Sequence, residues 1–95
     1  MTFEQFRLSL TNRIPPKFDS PHLLAMWYDA QKEWNAAHQA IQDVSDARAA
    51  QIHAYLHRKE GDTFNASYWY RKAGTTMPEV GLDQEWEQLV RLFCD

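Results

Sequence analysis

Three of the four histidines of this chain raise the question of a metal or small-ligand site. His53 and His57 stand four residues apart, and His38 precedes them. At i, i+4 both imidazoles leave one face of a helix, which is the spacing of a two-histidine clamp for zinc. The zinc-protease version of that clamp needs Glu directly after the first His as general base. Ala54 occupies that place, which argues against metalloprotease chemistry. A third ligand must come from elsewhere. His38, on the apolar stripe of the preceding helix, is the first candidate, and Glu60 is the second. The competing expectation is structural: partly buried, neutral rings that donate to backbone carbonyls or carboxylates. The two expectations differ in one observable, whether His38 faces the His53–His57 pair. If it does, the three can hold a small ligand or a divalent metal such as zinc, in a site lined by Tyr28, Glu60 and Tyr70.

The other chemistry-bearing residues have blander readings. In Tyr68-Trp69-Tyr70-Arg71 consecutive side chains point in different directions on a helix, so the rings cannot form one stacking surface. Trp69 and Tyr70 are expected in the core, with Tyr68 and Arg71 outside. Trp27 and Tyr28 read as interhelical fill. Asp29 reads as solvated surface, or as a partner for Lys32 or Lys17, and the charged stretch Arg58 to Asp62 reads as a solvated turn. Cys94 sits where no base can be placed beside it. Ser9, Ser20, Ser45 and Ser67 lack a nucleophile-elbow context, and three glycines form no phosphate loop. An enzyme is therefore the less favoured reading.

The elements that position these residues are helices. Thr2 and Gln5 match a capping box, and Phe3, Phe6 and Leu10 share a face of a helix running to about Asn12. Pro15 and Pro16 end any helix before them. Ser20-Pro21 places an N-cap before a first-turn proline, and Leu23, Leu24, Trp27 and Ala30 follow at helical spacing. A break near Lys32-Glu33 separates this helix from one carrying Trp34, Ala37, His38 and Ile41. Ser45 or Asp46 caps a third stretch to Glu60 that is apolar on two sides, which suits a helix held between neighbours. Gly61 stops it. Asp62 or Thr63 caps the next, which points Ala66, Trp69, Tyr70 and Ala73 inward and ends at Gly74. A last helix from about Leu82 carries Trp86, Leu89, Val90 and Phe93.

Strand-type alternation is absent, so the expected fold is all-α, with five to six short helices in antiparallel hairpins joined by short connections. Ninety-five residues make one domain. Its parts are an N-terminal capping helix and Pro-rich loop over 1–20, two hairpins over 21–78, and a C-terminal capping helix over 79–95. Aromatics at 14% compensate for the small number of core positions. The net charge of −3, without a basic stripe, excludes an electrostatic footprint for nucleic acid. No apolar run reaches membrane-spanning length. A single cysteine and a start without signal-peptide character suit a cytoplasmic protein.

One spacing is more specific than periodicity. Ala54, His57, Gly61, Ala66, Tyr70, Ala73 and Pro78 follow one another with gaps of two, three, four, three, two and four residues. This resembles a tetratricopeptide repeat. There, small residues let two helices approach, a glycine turns between them and an aromatic fills the gap. The departure is His57, where the repeat prefers an aromatic. ASYWYRKAG is similar to the second helix of Sel1-like repeats. Ala25, Tyr28, Ala37, Ile41 and Val44 match the pattern more weakly, with Lys32 replacing the turn glycine. HAYLHRKEGD with NASYWYRKAG also resembles a family of short microbial proteins to which no activity attaches. The resemblance implies a TPR-like fold and a non-enzymatic module that binds a protein or peptide partner on a concave surface. Trp86, Leu89, Val90 and Phe93 give the last helix a face through which a homodimer could form.

Overall fold

The computed structural model describes residues 1–95 and is all-helical. Six helices follow in order: α1 Phe3–Ser9, α2 Pro21–Ala30, α3 Trp34–Ile41, α4 Ala47–Lys59, α5 Thr63–Lys72 and α6 Leu82–Arg91. Their starts are fixed by local chemistry. Thr2 and Gln5 form the reciprocal capping box of α1. Ser20 caps α2 by accepting from the Leu23 amide, Asp46 caps α4 through Ala49, and Asp62 caps α5 through Asn65. α1 stops at Ser9, short of Asn12, because its last turn tightens into three-residue hydrogen bonds that end with Asn12 donating to the Ser9 carbonyl.

Two antiparallel pairs, α2–α3 and α4–α5, make up the body. Ala25 and Ala37 are fully buried in the first, and Ala54 and Ala66 in the second, so each pair closes over small side chains. Bulky rings fill the seams that remain: Trp27 and Phe6 in the larger core cluster, and Tyr70 against Ala54 and Ala66 in a smaller one. α4 is the central element and packs against α2, α3, α5 and α6. That position explains its apolar character on two sides.

The turns within the pairs differ. Between α4 and α5, Gly61 takes φ +87°, and after α5 Gly74 takes φ +83°, both left-handed conformations that glycine adopts freely. Between α2 and α3 the left-handed residue is Lys32, at φ 63°. A side chain there costs about 1–2 kcal/mol relative to glycine.

α6 turns its apolar stripe inward. Leu89 and Val90 are buried, and Trp86 and Phe93 pack against the main cluster. The stripe expected to carry a dimer contact is thus engaged within the chain. No helix is long and apolar enough to cross a membrane.

Candidate metal centre

α3 and α4 bring His38, His53 and His57 together. Nε2 of His38 lies 3.0 Å from Nε2 of His53, and one ligating nitrogen from each ring falls within 4.8 Å of the other two. The rings pack on one another: His53 and His57 stack at 4.9 Å between centroids, and His38 meets both edge-on at 4.6 and 5.6 Å. Two indoles wall the group. Trp34 stacks on His38 at 4.9 Å, and Trp69 stacks on His53 at 3.9 Å with 11° between planes. Trp34 is itself anchored by its indole N–H, which donates to the Leu56 carbonyl at 2.8 Å.

The surroundings set the protonation of the rings. Burial, followed by repulsion from His38, His57 and Lys72, pushes the His53 imidazolium down to about 4. His38 is also lowered, first by burial and then by His57. Both rings are therefore neutral near pH 7, and across the 3.0 Å contact one Nε2–H donates to the other Nε2. His57 is oriented by a carboxylate: its Nδ1–H donates to Glu60 Oε1 at 2.7 Å. In the neutral ring this places the proton on Nδ1 and leaves Nε2 as a base. That carboxylate–histidine pairing is what typically orients metal-ligating imidazoles.

The structure divides the six residues named for the site from the sequence. His38, His53 and His57 converge, and Glu60 bonds to the far nitrogen of His57. Tyr70 is engaged elsewhere, with its hydroxyl donating to Glu85 Oε2 at 2.6 Å. Tyr28 is half-buried and lies edge-on to Trp27.

Two buried carboxylates escaped the sequence reading. Asp29 is 2% exposed rather than solvated, and its partners are not Lys32 or Lys17. It accepts from the Tyr55 hydroxyl at 2.7 Å and from Lys59 Nζ at 2.9 Å. Glu85, also 2% exposed, accepts from Arg58 Nη1 at 2.7 Å and from Tyr70. Arg58 donates further to the Val80 carbonyl at 2.7 Å. Arg58 and Lys59, expected in a solvated turn, thus answer one internal carboxylate each. Burial first, and then the adjacent carboxylate, raise the Tyr55 and Tyr70 hydroxyls above their usual range, so both remain donors. The signal was periodicity. Asp29 continues the buried series His22, Ala25 and Met26, and Glu85 lies four residues before Leu89.

The fourth histidine, His22, stands apart. Its Nε2 lies 3.0 Å from both carboxylate oxygens of Asp46, its ring stacks on Phe93 at 4.6 Å, and its Nδ1 is buried without a partner. The hydrogen bond from His22, reinforced by the Ala49 amide, holds the Asp46 carboxyl below its usual range.

No family model matches the chain, and neither a curated protein nor a solved structure is significantly similar to it.

Proposed function

We propose that this is a metal-binding helical protein, in which His38, His53 and His57 ligate a divalent transition metal and Glu60 orients His57. The convergence of three imidazole nitrogens from two helices carries the reading. Nitrogens bound tetrahedrally to zinc at about 2.0–2.1 Å stand about 3.4 Å apart. The His38–His53 separation of 3.0 Å is already close to that value. An all-imidazole set suits zinc, copper, nickel or cobalt, and not calcium or magnesium, which take oxygen ligands. Two rings kept neutral need not lose a proton before binding. Because the ligands join α3 to α4, the metal would tie the first hairpin to the second.

Thermal melting with zinc and with chelator tests this. Zinc at a hundred times its dissociation constant should stabilise by about 2.7 kcal/mol, and so raise the melting temperature. Chelator should reverse the gain, and His57→Ala should remove it. Identical melting of the zinc-loaded and chelated wild-type protein removes the reading.

A second reading, the repeat-type interaction module, rests on α5. Phe64 is 84% exposed and Tyr68 46% exposed, four residues apart on the face turned away from α4. Exposed rings at that spacing suit a helix-in-groove or hairpin-stacking partner.

A further inference from the structure

Three costly local features meet at one cavity, away from the histidines. Asp29 is a buried carboxylate. It also lies in the last turn of α2, where the helix dipole disfavours negative charge. Lys32, three residues on, holds a left-handed backbone where glycine would be unstrained. Both line a cavity of about 400 Å³ between the α2–α3 turn, α4 and α6, within the range of small-molecule sites. A smaller cavity of about 180 Å³ shares Asp29, Lys32 and Lys59, so the two lysines stand where the cavities adjoin.

The charges at the larger cavity sort into paired and unpaired. Asp29 and Lys59 answer each other, and Glu87 pairs with Arg91 at 3.0 Å. Lys32, on the turn, and Asp83, in the first turn of α6, stand exposed at the rim of the same cavity and have no ion-pair partner. Leu10 and Trp86 contribute apolar surface. Trp86 is fixed in place by its indole N–H, which donates to the Met26 carbonyl at 3.3 Å.

The geometry points to a binding site for a small zwitterion with an apolar body, of which a free amino acid is the simplest member. Its anionic group meets Lys32, its cationic group meets Asp83, and its apolar part lies against Leu10 and Trp86. This accounts for a lysine at a position where backbone energy favours glycine: the side chain is kept for its charge.

Calorimetric titration in chelator, so that the histidines hold no metal, tests the site. The probes are L-leucine, N-acetyl-L-leucine and L-leucinamide. Leucine should bind. Loss of either ligand charge should weaken binding by up to about fivefold, the scale of one exposed ion pair. Lys32→Gly should melt no lower than wild type yet lose up to about fivefold in leucine affinity, and Asp83→Asn should lose a similar factor. The proposal is overturned by no binding of leucine at millimolar concentration, by equal affinity for the three probes, or by Lys32→Gly binding leucine as wild type does.

Discussion

The two flanks of α4 handle buried polar groups in opposite ways. Toward α2 and α6, the carboxylates Asp29 and Glu85 each receive a tyrosine hydroxyl and a cation from this chain. Toward α3, three imidazoles bring basic nitrogens together, and the nearest charge is the Glu60 carboxylate on the far nitrogen of His57. The first arrangement is closed: donors and acceptors match inside the protein, as a buried ion requires. The second leaves no buried nitrogen of the cluster without a partner, yet it gathers one ligating nitrogen from each of three rings. A cluster of that kind is what a cation would complete, and this contrast is why the histidine flank carries the functional reading. The ion pairs complete each other inside the chain, whereas the histidine cluster also presents one ligating nitrogen from each of three rings.

Breaking the closed side should give the largest effect. Glu85→Ala leaves the Arg58 guanidinium, whose side chain is 19% exposed, beside an apolar gap. Removing one partner of a buried pair costs about 3–5 kcal/mol. Asp29→Ala should cost less, because the Lys59 side chain is 37% exposed and can rehydrate. Urea unfolding of both variants measures the difference. Equal losses would mean that partner exposure does not set the cost, and that the two carboxylates are held by something other than their cations.

Much of this architecture was legible. Caps at Thr2, Ser20, Asp46 and Asp62 are side-chain-to-backbone bonds made within three residues, so the chain announces them locally. The alanines of α4 and α5 gave the close pairing. The His53–His57 pair was visible for the same reason, one helical turn being a local property. The arrival of His38 depends on how α3 packs against α4, and the sequence left that open. The fates of Asp29 and Glu85 were missed for a related reason. Their place on apolar stripes was readable, but their partners lie 26 to 30 and 15 to 27 residues away and belong to tertiary packing. At Lys32 the break and the missing turn glycine were readable, whereas the strain appears only in the backbone.

Acid should act first on the histidine flank. The folded protein holds His53 neutral down to pH about 4, whereas an unfolded imidazole takes its proton near 6.5. Between those values unfolding takes up a proton, so the contribution is fully present above about pH 6.5 and is lost as pH falls toward 4. His38, lowered for the same first cause, adds in the same direction. The carboxylates of Asp46, lowered by its bond from His22, and Asp62, lowered by its bond from the Asn65 amide, act in a lower window, below about pH 4. Imidazole resonances followed by NMR, beside melting temperature against pH, separate the windows. A His53 that titrates near 6.5 would place the ring in water and remove the shielded cluster.

The smallest expected effect is a gain. Lys32→Gly relieves a left-handed side chain worth about 1–2 kcal/mol and adds chain entropy to the unfolded state worth about 0.5–1 kcal/mol. The net should be a stabilisation of about 0.5–1 kcal/mol, read as a higher urea midpoint at unchanged slope. The sign bears on the contrast between the two flanks. A gain means that Lys32 contributes nothing essential to the closed network around Asp29, which Tyr55 and Lys59 already satisfy. Its charge is then surplus to the fold. A loss would mean that Lys32 supports the buried carboxylate through space. The closed flank would then extend to the cavity rim, and the turn would be strained for stability instead of for a ligand.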